Sequence, residues 1–132
     1  MKCTPKEFVS RKNLEVSGKL YYAISMVDMA NIEEVAKRIG SQINAEAVIL
    51  FGSYAKGNAN ENSDVDFLVI AGSNLPRFKR SRELYKLFKP YPFGMDILVY
   101  TPAEIEKGRK ISQSFVSTVL REGKTVYAKG RN

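Results

Sequence analysis

The chain has 132 residues, a formal net charge of +7 and a hydrophobic fraction of 44%. This length and hydrophobic fraction predict one globular domain with a packed core, and they speak against intrinsic disorder. The chain has no histidine and a single cysteine, Cys3. This composition excludes Ser-His and Cys-His catalysis, an internal disulfide and a zinc cluster. A bound metal must therefore have oxygen ligands, as Mg²⁺ and Mn²⁺ do.

Residues 1–31 are predicted to form an N-terminal extension, and residues 32–132 the main domain. The extension has closely spaced apolar residues between positions 20 and 29, which we interpret as a helix. Asn31 is expected to be the N-cap of the next helix, because apolar residues follow it at helical spacing. These residues are Ile32, Val35, Ala36, Ile39 and Ile43.

Three apolar runs, at residues 47–51, 65–70 and 95–100, predict buried strands. A helix is expected over residues 77–88, with Phe78, Leu84, Leu87 and Phe88 pointing inward. Thr101-Pro102 predicts the start of a short helix, and a last helix is expected to end at Gly123 before a short edge strand at 125–128. The alternation of strands and helices predicts an α/β fold, with a small mixed sheet flanked by helices.

Three aspartates occupy positions that a strand disfavours. Asp64 and Asp66 flank Val65 at the start of the second predicted strand, so both side chains point to the same face, and Asp96 lies in the third. Ionised carboxylates that lie close together need a cation between them or a shared proton. If the two strands are neighbours, the three aspartates converge and can hold two Mg²⁺ ions ~3.5–4 Å apart. In the alternative, structural interpretation, Asp64 closes a turn with Ser63, and Asp96 pairs with an arginine.

Gly52 and Ser53 follow the first predicted strand. A glycine lets the backbone approach a phosphate closely. Free N–H groups at the start of a helix or in a nest, together with the Ser53 hydroxyl, can hold a triphosphate. Lys56 in the same loop is a further candidate phosphate ligand. The alternative is an ordinary strand-ending turn followed by a solvated lysine.

Taken together, these segments resemble the signature of polymerase-beta-like nucleotidyltransferases, and above all that of the minimal nucleotidyltransferases. The similarity extends over about residues 32–128. The segments that carry it are Gly52-Ser53-Tyr54-Ala55-Lys56-Gly57, Asn62-Ser63-Asp64-Val65-Asp66-Phe67-Leu68-Val69, Met95-Asp96-Ile97-Leu98-Val99, Thr101-Pro102-Ala103-Glu104 and Arg121-Glu122-Gly123-Lys124-Thr125-Val126-Tyr127.

The resemblance implies transfer of a nucleotidyl group, AMP in first place, from a nucleoside triphosphate to an acceptor hydroxyl with two divalent metals, Mg²⁺ or Mn²⁺. By position, Gly52 and Ser53 would hold the β- and γ-phosphates of the triphosphate, for which ATP is the first candidate. Asp64 and Asp66 would bind both metals, and Asp96 would share the one that activates the acceptor oxygen. The composition agrees, because without histidine a carboxylate and a metal remain to deprotonate the hydroxyl.

The acceptor and the partners stay open. Family members of this size often pair, as antitoxins, with a helical HEPN-type protein, and a tyrosine hydroxyl of such a partner is one acceptor. A small-molecule acceptor, as in aminoglycoside nucleotidyltransferases, would need a second substrate domain or a homodimer. A different class of function is a binding module that neutralises a toxin by contact alone.

The segment 77–89 carries six basic side chains and one acidic side chain. This segment could bind an acidic protein face or a nucleic acid, or it could be a solvated surface. So short a chain favours the nucleic acid less. No apolar run approaches the ~18 residues of a membrane span, and basic residues interrupt the first twenty positions, unlike a signal segment. We therefore expect a cytoplasmic protein without a membrane partner.

Overall fold

The computed structural model describes residues 11–16, 19–24 and 27–130. Its central sheet consists of β3 (Ala47–Phe51), β4 (Val65–Ile70), β5 (Met95–Tyr100) and β6 (Lys124–Ala128). The strand order is β5-β4-β3-β6, with β3 antiparallel to both neighbours and β4 parallel to β5. The prediction of a small mixed sheet flanked by helices is confirmed. Three of these strands have the predicted limits, because each is a short and mostly apolar run.

One face of the sheet is covered by α1 (Met29–Gln42). The predicted apolar stripe is fully buried at Ile32, Val35, Ala36 and Ile39. The helix begins earlier than predicted, because Asp28 rather than Asn31 is its N-cap residue. Gly40 lies in this helix where a Cβ would overlap the ring of Tyr127 in β6, so the glycine lets helix and edge strand pack closely.

The opposite face is covered in part by α4 (Pro102–Arg109) and α5 (Phe115–Glu122). Thr101 caps α4 in a reciprocal capping box with Glu104, which confirms the predicted helix start, and Gly123 is the C-cap residue of α5. A small apolar cluster lies under these helices, formed by Ile49, Leu68 and Val119 with partly buried neighbours. No helix in the described ranges is both long enough and apolar enough to cross a membrane.

The prediction of a helical N-terminal extension is wrong at residues 11–16 and 19–24. β1 (Arg11–Val16) and β2 (Lys19–Ile24) form an antiparallel two-stranded sheet. The second strand, Lys-Leu-Tyr-Tyr-Ala-Ile, is rich in aromatic and β-branched residues, and Ser-Gly at 17–18 is a typical hairpin dipeptide. Of the other residues of the predicted extension, 1–10, 17–18 and 25–26 lie outside the described residues, and 29–31 are the first residues of α1.

The predicted helix over residues 77–88 is replaced by two short turns of helix. They are a 3₁₀ helix at Arg77–Lys79 and α3 (Arg82–Tyr85). The inward positions are correct for Leu84 and Phe88, which are buried, and wrong for Phe78, which is 75% exposed. The two short helices are separated at Arg80, whose guanidinium is used in tertiary contacts.

Arg80 anchors this segment to the sheet. Its Nε donates to the carbonyl of Leu75 at 2.9 Å, and its Nη1 donates to the carbonyl of Val99 in β5 at 3.0 Å. The same guanidinium forms a two-point ion pair with Glu104, at 2.7 and 3.2 Å. With only 8% of its side chain exposed, Arg80 is a structural residue, and it is not available to a binding partner.

Glu104→Gln is expected to lower the melting temperature by about 5 °C at pH 7, on the order of 1–2 kcal/mol after allowance for solvent screening. The hydrogen bond from Arg80 is the main cause that lowers the pKa of Glu104 to about 2. Because the folded-state pKa is depressed, the stabilisation is complete above the unfolded pKa near 4.5 and is lost as the pH falls towards 2.

Thermal melts between pH 2.5 and 7 test this expectation. Glu106→Gln is the matched control, because Glu106 lies in the same helix and pairs with Arg109 on the exposed surface, where an ion pair contributes little. Equal melting temperatures of the two variants at pH 7 would show that the Arg80 pair contributes no more than a surface pair.

Candidate active site

The three strands β3, β4 and β5 bring a polar row to one edge of the sheet. Asp66 in β4 lies directly opposite Asp96 in parallel β5, and on its other side it lies opposite Phe51, the last residue of β3. Paired residues share a face of the sheet, so the two aspartates point to the face that α4 and α5 cover only in part. The two predicted strands are therefore neighbours, as convergence of the carboxylates requires.

Asp66 and Asp96 interact directly. The pKa of Asp66 is raised to about 6, first by burial, then by the negative charges of Asp96 and Asp64, and then by a side-chain hydrogen bond with Asp96. The register of β4 and β5 thus places these two side chains next to each other, where they could bind a cation together.

Asp64 lies at the side of this pair. It precedes the first residue of β4, and its Oδ1 lies against the backbone of Gly94, where a Cβ would overlap it. Within the described part of the chain, the Asp and Glu side chains form no group of three arranged to hold a metal ion. The structure therefore brings Asp66 and Asp96 together, with Asp64 adjacent to them, and joint metal binding by all three stays a prediction.

The structural interpretations of these aspartates are not supported. The turn before β4 is closed by Asn60 and Ser63, because the Asn60 N–H donates to Ser63 Oγ at 2.9 Å and the Ser63 N–H donates to the Asn60 carbonyl at 3.0 Å. Among the described residues, neither Asp64 nor Asp96 forms an ion pair with a lysine or arginine. Another reason is needed for acidic residues at these positions.

Gly52 occupies a backbone conformation that only glycine adopts readily, with φ 76° and ψ −155°. A Cβ at this position would overlap Oδ2 of Asp66, so the bare backbone of Gly52 lies directly against the carboxylate pair. The four-residue helix α2 (Ser53–Lys56) begins at the next residue. The first amides of this turn, at Ser53 and Tyr54, cannot bond within the helix, and they lie beside the edge that carries Asp66.

Lys56, the further candidate phosphate ligand, forms an ion pair on the surface. Its Nζ pairs with Glu122 at the end of α5, 3.6 Å away, with 54% of the lysine side chain exposed. An exposed pair of this kind is weak, so it would not prevent the lysine from exchanging partners. The structure assigns Lys56 a surface ion pair, and a contact with phosphate stays a prediction.

Two residues beside the aspartates escaped the sequence analysis. Gly94 leaves room for Asp64. The sequence indicates this residue only through its position, because it is a glycine immediately before the strand that contains Asp96. Tyr85 in α3 accepts a hydrogen bond at its hydroxyl from the Ile97 N–H of β5, at 2.8 Å. Burial is the main cause that raises the pKa of Tyr85, so its hydroxyl stays protonated at neutral pH.

Comparisons with known proteins agree with this geometry. Residues 30–125 match the model of the nucleotidyltransferase domain family. Two relatives from Methanocaldococcus jannaschii are both named "Putative protein adenylyltransferase". One is 34% identical over 94 residues, which cover 70% of this chain and 91% of the relative. The other is 37% identical over 81 residues, which cover 61% of this chain and 76% of the relative.

Two solved structures share the fold. A Sulfolobus solfataricus protein described as a "putative nucleotidyltransferase" superposes with a TM-score of 0.56 at 20% identity, over 79% of this chain and 83% of its own. A toxin-antitoxin structure with AMP-PNP superposes with a TM-score of 0.51 at 24% identity, over 74% of each chain. The family match spans well over half of the sequence and includes all three aspartates, and the chain therefore belongs to the nucleotidyltransferase domain family.

Proposed function

We propose that this chain transfers AMP from ATP to a hydroxyl group of a protein, with Asp64, Asp66 and Asp96 as the catalytic carboxylates and Gly52 and Ser53 as the triphosphate site. The observation that carries the proposal is the close pair of Asp66 and Asp96 in register on adjacent strands, with the bare backbone of Gly52 against it. The names of the M. jannaschii relatives support adenylyl as the group and protein as the acceptor.

The residues at this edge fit divalent cations. Their donor atoms are carboxylate oxygens, which suit Mg²⁺ and Mn²⁺. Burial is the main cause that raises the pKa of Asp66, and the negative charges of Asp96 and Asp64 raise it further, so a cation would neutralise part of the charge at this edge. Asp66 and Asp96 would hold the ions, with Asp64 as the third ligand. Bound cations would lower the pKa of the acceptor hydroxyl and stabilise the negative charge that develops on the leaving pyrophosphate.

The protein's own groups would bind and orient the two substrates. The acceptor oxygen bonds to the α-phosphorus, the bond from that phosphorus to the bridging oxygen breaks, and pyrophosphate leaves. The hydroxyl proton passes to a carboxylate of the cluster, because the chain has no histidine. The amides of Ser53 and Tyr54 would donate to phosphate oxygens, which the absence of a side chain at Gly52 allows to approach.

A protein acceptor raises the question of a partner. We propose a HEPN-type toxin for which this chain is the antitoxin, and the fold shared with the toxin-antitoxin structure supports this choice. Of the basic segment 77–89, Lys79, Arg82 and Lys89 are exposed and would face such a partner, whereas Arg80 is anchored to Glu104.

We also propose residues 32–132 as the transferase domain. A homodimer and a nucleic-acid partner are further alternatives.

Incubation with ATP labelled at the α-phosphate, Mg²⁺ and extract of the source cells is expected to label a protein, because AMP transfer retains the α-phosphorus in the product. ATP labelled at the γ-phosphate is the matched control, and it should label nothing through this enzyme. Excess chelator should abolish labelling. Parallel reactions with α-labelled GTP, CTP and UTP test the choice of nucleotide.

Each outcome of this experiment is decisive for one part of the proposal. Label in RNA or in a small molecule would overturn the protein acceptor and would retain the transferase. Label from the γ-phosphate alone would indicate a kinase. If no α-labelled nucleotide labels anything while the protein still binds a toxin, then the proposed enzyme is instead a binding module.

A further inference from the structure

Among the described strands, the one that carries Asp96 lies at the edge of the sheet and pairs with β4 alone. In a β-strand, alternate residues direct their backbone hydrogen-bonding groups to opposite sides. On the side away from β4, the groups of β5 that find partners belong to Met95, Ile97 and Val99. These partners are side chains of the segment that precedes β5, rather than another strand.

Tyr85 provides two of these contacts with a single hydroxyl. The hydroxyl accepts from the N–H of Ile97 at 2.8 Å and points to the carbonyl of Met95 at 3.5 Å. These residues immediately precede and follow Asp96, so both peptide units that flank the aspartate are tied to one oxygen atom. The ring of Tyr85 meets the ring of Tyr91 edge to face, with centroids 6.1 Å apart.

We propose that Tyr85 is a positioning residue for the catalytic centre, which fixes Asp96 opposite Asp66 by holding the free edge of β5. This inference rests on the proposed function. An edge strand paired on one side can twist or fray at its free side, and such movement would shift the Asp96 carboxylate relative to Asp66. A displacement of about 1 Å in a catalytic group is enough to slow a reaction by about 10²-fold.

The position of Tyr85 separates it from the other anchor of this edge. Arg80 bonds the carbonyl of Val99, three residues beyond Asp96, and it also holds Glu104 and Leu75. Arg80 thus attaches the whole segment to the sheet, whereas within the described part of the chain the Tyr85 hydroxyl hydrogen-bonds the two residues that flank Asp96. Loss of that hydroxyl should alter the site while the fold persists.

Tyr85→Phe tests the proposal, and Tyr91→Phe is the matched control. Both substitutions remove one hydroxyl from the same aromatic pair, and no described residue hydrogen-bonds the Tyr91 hydroxyl. We expect Tyr85→Phe to lower kcat about tenfold or more and to leave the KM for ATP within about twofold, because the defect lies in alignment rather than in triphosphate binding. Tyr91→Phe should match the wild type.

Two measurements without turnover accompany the kinetics. The affinity for Mn²⁺ alone, by calorimetry in the absence of nucleotide, should fall about tenfold in Tyr85→Phe, as expected when a group that orients a metal ligand is removed. Hydrogen exchange at the Ile97 amide should become faster, and exchange in β3 should not change. Melting curves of both variants set a temperature at which all proteins are folded.

The outcomes separate this inference from the proposed function. Normal kcat and normal Mn²⁺ affinity in Tyr85→Phe, with faster exchange at Ile97, would show that the hydroxyl supports the strand without positioning Asp96. A wild-type protein that neither transfers AMP nor binds Mn²⁺ would contradict the proposed function itself. A loss of kcat in both variants would assign the effect to the aromatic pair and would overturn the role of the Tyr85 hydroxyl.

Discussion

Asp66→Asn is expected to lower kcat/KM for AMP transfer by about 10³-fold or more, equivalent to about 4 kcal/mol of transition-state stabilisation. Asp66 is the central member of the site, since it lies in register with Asp96, next to Asp64, and against the backbone of Gly52. Asparagine keeps the size of the side chain and removes the charge that would hold the cations. Turnover with purified acceptor and ATP is the measurement.

The same substitution should stabilise the metal-free protein. Because the pKa of Asp66 is raised from 3.8 to about 6, the folded state binds more protons than the unfolded state in that range, and stability falls as the pH rises from about 4 to about 6. Asp66→Asn removes this loss. We expect a gain on the order of 1–2 kcal/mol at pH 7.5 in chelator, after discounting for solvent screening, and no gain at pH 4 or below.

Glu61→Gln is the control for both measurements, because Glu61 is an exposed carboxylate in the loop that precedes β4. It should leave activity and melting temperature unchanged. Asp96→Asn and Asp64→Asn should each reduce transfer as well, and normal turnover in either variant would remove that residue from the site. If Asp66→Asn retains transfer at the wild-type rate, the proposed catalytic centre is wrong.

The sequence predicts those parts of the site in which a residue type does not suit the predicted secondary structure around it. The limits of β4 and β5 are predicted closely, because a mostly apolar run of six residues with β-branched side chains is too short for a typical helix and favours a buried strand. Asp66 and Asp96 stand out within those runs, since a carboxylate in a buried strand requires a partner or a function. Gly52 stands out similarly, at the end of the apolar run that became β3.

The parts that sequence reasoning missed depend on contacts between distant residues. Tyr85 and Arg80 act through the backbone of β5, 10 to 19 residues further along the chain, and such a contact leaves no periodic pattern in the sequence. The helix predicted over 77–88 fails for the same reason, because tertiary anchors override local propensity. In the N-terminal segment, the density of apolar residues predicts a helix, but their aromatic and β-branched types favour a strand.

Gly52→Ala is the second substitution with a large expected effect. The added Cβ would overlap Oδ2 of Asp66, and φ of 76° with ψ of −155° is unfavourable for alanine. Movement of either group would separate the backbone of Gly52 from the Asp66 carboxylate. We therefore expect kcat/KM to fall about 10²-fold or more and ATP affinity to weaken, with a stability cost of about 1–3 kcal/mol.

Gly57→Ala is the control that separates backbone strain from damage to the site. Gly57 lies at the end of the same short helix and also has a positive φ, 81°, but a Cβ there meets no atom within 4 Å. It should cost about 1–2 kcal/mol of stability and leave transfer and ATP binding close to normal. Ser53→Ala should reduce ATP affinity by no more than about fivefold, because the backbone amides remain. Calorimetric titration with ATP measures all three variants. If Gly52→Ala binds ATP and turns over as Gly57→Ala does, the triphosphate lies elsewhere and the approach of Gly52 to Asp66 serves only the fold.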